Sequence, residues 1–272
     1  MSKKKIKPVK AYKNLDFLTS HEAREIRVLA EFIEPESRFN KYNVTDTFVF
    51  FGSARIKSEK EAKKNLRELK KRKNEIKNFE KELKKAERDL EFSKYYEAAR
   101  ELAYRLTKWS HDVKHPERKF IVASGGGPGI MEAANRGAQE AKGKSVGMNI
   151  SLPFEQYVND YVSPELAFEF HYFFVRKFWL IYMAKALIVF PGGFGTMDEL
   201  FEVLTLIQTK KIHKNMKVII FGSEYWKNVI NFDAFVEAGT ICKRDLKLFD
   251  FCDTVDEAYE KITSFVTKKY LR

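Results

Sequence analysis

The stretch ALIVFPGGFGTMDEL, residues 186–200, decides the fold. Residues 186–190 form an apolar run without alternation, as expected of a strand buried on both faces. Pro191-Gly192-Gly193-Phe194-Gly195-Thr196 then breaks the strand, and residues 197–209 read as a helix. Glycines let a backbone approach an anion closely, and a helix start offers free N–H groups and a positive dipole end. The unit is therefore strand, glycine loop, helix.

The same unit occurs a second time. Residues 120–123 are a buried strand running into Ser124-Gly125-Gly126-Gly127-Pro128-Gly129, with a helix over 130–141. A third strand, residues 44–51 with Phe48, Val49, Phe50 and Phe51, ends in Gly52-Ser53-Ala54-Arg55. Strands over 145–150 and 217–221 and helices over 173–183, 225–238 and 254–268 complete the alternation. The pattern predicts an α/β fold, a Rossmann-like doubly wound parallel sheet with right-handed crossovers. Ligands of such sheets bind beyond the carboxyl ends of the strands, where the three glycine turns fall. Chain geometry alone explains one such loop easily and two poorly, so the pair predicts phosphate binding.

Around this domain, residues 44–272, the chain carries two additions. Residues 1–43 read as a basic tail and a peripheral helix capped by Ser20, with Glu22 and Glu25 in its first turn. Ile26, Leu29, Ala30 and Ile33 share one face, and Pro35 is expected to end the helix. Residues 57–91 are dense in Lys and Glu and hold no Gly or Pro. Ala62, Leu69, Ile76, Leu83 and Leu90 recur every seven residues, which predicts a long helix or a hairpin turning near residues 74–78. Its narrow seam leaves room for a partner subunit. A separate amphipathic helix is expected over 95–109.

The chain has 272 residues and a formal net charge of +12, a balance that favours anionic partners. No apolar run is long enough to cross a membrane, and none follows the basic N-terminus as a secretory signal requires. The two cysteines, Cys242 and Cys252, lack neighbours at zinc-site spacing and are expected to be reduced thiols of a cytoplasmic protein. The lysine-rich segment reads as a solvated face; no aromatic or glycine interleaving points it toward nucleic acid. Neither glycine loop ends in Gly-Lys-Ser/Thr, and the first lacks the full dinucleotide fingerprint, which argues against ATPase and dehydrogenase chemistry.

The Pro-Gly-Gly-x-Gly-Thr-x-x-Glu motif at residues 191–199, the Gly-Gly-Gly-x-Gly-x-Met turn at 125–131 and the Arg176-Lys177 pair resemble the Lonely Guy family. Residues 51–55, Leu152-Pro153-Phe154-Glu155-Gln156, Gln208 and Ile212-His213 extend the resemblance, which covers roughly residues 47–221 without the charged insert. The family comprises nucleoside 5′-monophosphate phosphoribohydrolases, including cytokinin-activating enzymes, long mislabelled as lysine decarboxylases. No separate pyridoxal-phosphate signature stands in this sequence.

The resemblance implies a Rossmann-like domain, a homodimer or larger assembly, and no metal or organic cofactor. It implies hydrolysis of the N-glycosidic bond of AMP or a cytokinin nucleotide. By motif, Arg176 and Glu199 are the catalytic pair, with Arg176 holding Glu199 ionised. Gly192, Gly193, Gly195 and Thr196 bind the 5′-phosphate. Gly52, Ser53, Gly125, Gly126, Gly127, Met131, Asn149 and Lys177 complete the substrate pocket. His171 and His213 are assigned to structure or solvent. The rival reading is a non-catalytic nucleotide carrier or sensor, since relatives of the family include molybdenum-cofactor carriers.

Overall fold

The computed structural model describes residues 7–152 and 157–271. Seven strands form one parallel sheet in the order β4-β3-β2-β1-β5-β6-β7. They are β1 (Asp46–Phe51), β2 (Phe120–Ser124), β3 (Ser145–Ile150), β4 (Ala167–Phe170), β5 (Ala184–Val189), β6 (Lys217–Phe221) and β7 (Asp250–Cys252). Topology grows outward from β1 to β4, then returns to place β5 on the other side of β1. The switch point therefore lies between the loops at residues 52–55 and 190–196. The architecture is the Rossmann-like α/β domain that the alternation predicts. The short edge strands β4 and β7 carry too few residues to stand out as apolar runs in the sequence.

Strand β1 shows why its residues read as a continuous apolar run. Val49 and Phe51 face one core and Phe48 and Phe50 the other. The first core is closed by α2 (Arg24–Lys41), α6 (Phe173–Tyr182) and α7 (Phe194–Gln208), with α8 (Ser223–Val229) and α9 (Phe232–Glu237) beyond them. The second is closed by α4 (Phe79–Asp112), α5 (Ile130–Glu140) and α10 (Val255–Tyr270). The C-terminal segment expected as one helix over 225–238 is thus two short ones, α8 and α9, broken at Ile230 and Asn231, whose side chain caps the second.

Pro35 does not end its helix. It sits buried inside α2, which runs on to Lys41. A helical proline leaves the carbonyl four residues earlier without its N–H donor. Here that carbonyl, Glu31 O, accepts the Trp179 indole N–H from α6 at 3.0 Å. The Glu31 carboxylate takes the backbone N–H groups of His171 (2.7 Å) and Tyr172 (3.2 Å) just ahead of α6. The turn past Pro35 places Arg38 against edge strand β4, where it donates to Ala167 O at 2.8 Å and lies over the Phe168 ring. The helix packs on the body through Val28, Phe32, Pro35 and Phe39. Ile26, Leu29 and Ile33, the face read as apolar in the sequence, point to solvent.

The charged segment is a hairpin of α3 (Glu59–Lys71) and α4, joined by residues 72–78 with Asn78 in a left-handed conformation. The two helices pack on each other, with Ala62 buried and Leu69, Ile76, Leu83 and Leu90 part-buried. The helix expected separately over 95–109 is the continuation of α4, with no break, so the insert is an N-terminal extension of the helix that crosses from β1 to β2.

Helices α4 and α5 cross at Gly137, where a methyl group would come within 2.0 Å of Arg100 O. Backbone cannot yield to such a contact without shifting a helix, and overpacking of this kind costs ~1–3 kcal/mol. Gly137→Ala is expected to lower the unfolding free energy by about that amount, with an unchanged urea m-value. An unaltered urea midpoint would show that the crossing has slack.

Candidate active site at the strand switch point

The carboxyl ends of β1 and β5 are stitched together by backbone. Ser53 N donates to Pro191 O at 3.0 Å, and Ile130 N donates to Ser53 O at 3.2 Å. The Ser53 hydroxyl accepts from Arg55 N at 3.1 Å. Three loops are thus held in one register around a cleft of ≈ 630 Å³.

Helix α7 begins at Phe194, inside the glycine motif and three residues before the start expected from the sequence, with Gly193 as its N-cap. The N–H groups of Phe194, Gly195 and Thr196 belong to its first turn and have no acceptor within the helix. A side chain at Gly193 or Gly195 would meet nothing within 4 Å, so the open cleft lies directly over this backbone. Gly192 is needed for a different reason: a Cβ there would come within 2.1 Å of Thr196 Oγ1. Tyr225 holds the loop from outside by donating its hydroxyl to Gly192 O at 2.8 Å.

Arg176 and Glu199 form a buried pair on the floor of the cleft. Arg176 is 9% exposed and Glu199 5%. Arg176 Nη1 donates to Glu199 Oε1 at 3.1 Å, and its Nε donates to Met148 O at 2.8 Å. Gly125 leaves the space the guanidinium occupies; a Cβ there would stand 2.6 Å from Nη2 and 2.7 Å from Met131 Sδ. Glu199 Oε2 is buried without a hydrogen-bond partner among the described residues. Burial pushes the Glu199 carboxyl up to about 7, against the nearby charge of Arg176, which lowers it. Desolvation thus outweighs the ion pair, where the sequence reading had Arg176 simply holding the glutamate ionised.

Gly52, Ser53, Met131, Arg176, Gly192, Gly193, Gly195, Thr196 and Glu199 therefore meet at one cleft. Gly125 backs it from behind Arg176 and Met131. The other named residues stand apart from its lining. Gly126 adopts a positive φ of 72° and rests on Gly147, and the carbonyls of Gly126 and Gly127 accept from Asn159 Nδ2 at 3.0 Å. Asn149 is buried on β3 and donates to Glu169 at 2.9 Å. Lys177 turns outward to Asp198 (2.7 Å) and Glu202 (3.0 Å). His171 is exposed at the α2–α6 junction. Of the supporting stretch at 152–156, residues 153–156 lie outside the described residues.

Sequence reasoning missed Arg55, Phe173, Phe194 and Tyr225 in the cleft wall, and Asn159, whose amide also reaches Asn135 at 3.0 Å and so ties the 124–127 turn to α5. Tyr225 had a readable signal: it follows β6 and Gly222, another strand end of the kind that borders ligand sites. Phe173 and Asn159 had none, because nothing local marks a side chain that reaches a site from another loop.

These features define a class, a parallel α/β protein with an open helix start beside a buried Arg–Glu pair. Residues 131–262 match the family model described as "Possible lysine decarboxylase". A relative from Oryza sativa subsp. japonica named "Probable cytokinin riboside 5'-monophosphate phosphoribohydrolase LOGL3" is 30% identical over 92 residues, 34% of this chain and 43% of that protein. A second from the same plant, the LOG4 protein of that name, is 27% identical over 146 residues, 53% of this chain and 62% of that protein. The chain thus spans less than two thirds of the length of either relative. Among solved structures, a molybdenum cofactor binding protein from Rippkaea orientalis is similar at a TM-score of 0.46 and 19% identity, covering 64% of this chain and 88% of that one. Among the described residues no helix is long and apolar enough to cross a membrane.

The site makes a direct prediction. The Glu199 carboxyl, followed by carbon NMR and assigned by its loss in Glu199→Gln, is expected to titrate near pH 7, and Arg176→Met is expected to move it upward. Unfolded glutamates ionise near 4.5. The folded state then keeps a proton the unfolded chain has lost, and this group's contribution to stability falls as pH rises from 4.5 to about 7. A midpoint near 4.5 would mean the ion pair dominates after all.

Proposed function

We propose that the protein hydrolyses the N-glycosidic bond of a nucleoside 5′-monophosphate, of AMP or cytokinin type, to free base and ribose 5-phosphate. The observation that carries this reading is the buried Arg176–Glu199 pair beside an open helix N-terminus. The 5′-phosphate sits on the first-turn N–H groups of α7, where the helix dipole favours an anion. That anchor puts the ribose over Glu199, one turn further along the same helix.

Breaking the bond from C1′ to the base nitrogen develops positive charge on the ribose ring, as in glycoside hydrolysis. Glu199 Oε2, free of other partners, stabilises that charge and takes a proton from the attacking water. The water oxygen bonds to C1′, the bonding pair leaves with the base, and the base nitrogen takes up the proton that Glu199 received from the water, which restores the carboxylate. A carboxyl titrating near 7 is poised to take up and release a proton at neutral pH. Arg176, fixed on Met148 O, holds Oε1 and leaves Oε2 without a hydrogen-bond partner among the described residues.

We also infer a homodimer. Ile26, Leu29 and Ile33 of α2 and Phe174, Phe178 and Tyr182 of α6 are exposed, and the two helices meet where Phe32 packs against Phe178 at 5.2 Å. Such neighbouring apolar stripes mark an interaction surface, and a self-complementary two-fold contact is the commonest way to bury one.

Glu199→Gln is expected to slow base release from AMP by ~10²–10⁴-fold while AMP still binds within a few-fold of wild type. Base release that survives the substitution would remove Glu199 from the chemistry. Nucleotide binding without release from any monophosphate, wild type included, would make the protein a carrier or sensor. For the assembly, light scattering is expected to give twice the chain mass for wild type and the chain mass for Leu29→Asp/Phe178→Asp; a monomeric wild type would refute the dimer.

A further inference from the structure

The α3–α4 extension builds a second cavity beside the cleft. It measures ≈ 640 Å³ and lies on the opposite side of the 52–55 loop. The two spaces adjoin, since Ser53, Ala54, Arg55, Gly192, Gly193 and Tyr225 border both. The far wall is α4 before Tyr95, which presents Lys85, Arg88, Asp89 and Phe92. This is the part of the helix that the insert contributes.

The charges in this second chamber are unevenly matched. Asp89 and Glu61 are engaged by Lys57 at 3.7 and 4.0 Å. Glu132 accepts from the Tyr96 hydroxyl at 2.6 Å. Arg55, Lys85 and Arg88 have no carboxylate within 4.0 Å among the described residues. Three of the four cations on the wall are therefore free of a carboxylate, while each of its carboxylates has at least one polar contact.

The order of groups across the two spaces gives the direction. Arg176 and Glu199 border only the cleft, Gly192, Gly193 and Arg55 border both, and Lys85 and Arg88 border only the second chamber. A nucleotide with C1′ at Glu199 and its 5′-phosphate at Gly193 has one way to extend, past Arg55 toward Lys85 and Arg88. A chamber of this size holds far more than one phosphate, and clefts of this order take whole small-molecule ligands.

We propose that the protein accepts nucleotides extended beyond the 5′-phosphate by a further phosphate, with Arg55, Lys85 and Arg88 receiving the second phosphate of a pyrophosphate. The inference rests on the placement of a nucleotide in the cleft as proposed above. The chemistry at C1′ is unchanged; the insert alters which nucleotides are held. Phe92 and Tyr225, which touch edge-to-face at ring centroids 5.9 Å apart, offer apolar surface to whatever lies beyond that phosphate.

The test is calorimetric titration of AMP and of ADP into the full chain, wild type and Lys85→Ala/Arg88→Ala. Both residues lie on the exposed face of α4, so the variant keeps its core. ADP is expected to bind wild type at least ~10-fold more tightly than AMP, the effect of about 1.4 kcal/mol. The variant is expected to bring ADP down to the affinity of AMP and leave AMP unchanged. AMP that binds and is cleaved, with ADP no tighter, overturns the second chamber alone. An equal loss for both nucleotides in the variant overturns it too. Failure of wild type to bind either nucleotide overturns both this inference and the functional reading beneath it.

Discussion

A guanidinium sealed at the end of a parallel sheet has to be neutralised and hydrogen-bonded, and the site is organised around meeting that demand. Arg176 leaves α6, passes through space that Gly125 vacates, donates to the Met148 carbonyl at the end of β3 and meets Glu199 on α7. Four separate segments are fixed relative to one another by one side chain. Removing either charge of such a pair leaves the other buried and unpaired, which is the costly direction. Burial is also what raises the Glu199 carboxyl toward neutrality, so the same geometry that fixes the loops also sets the proton affinity of this carboxyl.

The outer elements serve that arrangement from behind. Helix α6 has to be oriented for Arg176 to reach inward, and α2 does this through Glu31, whose carboxylate and carbonyl both bind the α6 region. The carbonyl is free for Trp179 only because Pro35 cannot use it. A residue that breaks helices in isolation is retained here because a tertiary donor replaces the missing N–H. The N-terminal helix is thus a part of the site's support as well as a cover for the sheet edge at β4.

The charged extension shows a different use of the same frame. The sheet would close with a shorter crossover helix than α4. The added turns, backed by α3, stand beside the 52–55 loop and turn one open cleft into two adjoining spaces. Its composition suits this position. A thin apolar seam holds the hairpin together, and the charged faces remain free to pair along the helices or to meet an anion.

Strong local signals let the sequence alone determine the sheet's central strands and the glycine loops that end them. Continuous apolar runs mark β1, β2 and β5 because both faces are buried, and the Pro-Gly-Gly-x-Gly-Thr-x-x-Glu spacing places glycine turn and carboxylate on one helix start. Tertiary structure alone decided the rest. Pro35 reads as a stop until Trp179 is placed beside it. Ile26, Leu29 and Ile33 read as the helix's apolar face until Phe32, Pro35 and Phe39 take the core. The break at residue 95 vanishes because helix continuity costs nothing when one face of α4 packs on the sheet and the other on α3. Asn149 reaches Glu169, and Lys177 reaches Asp198 and Glu202, away from the cleft lining. Side-chain direction depends on which partners a distant segment supplies, and no window of local sequence contains that information.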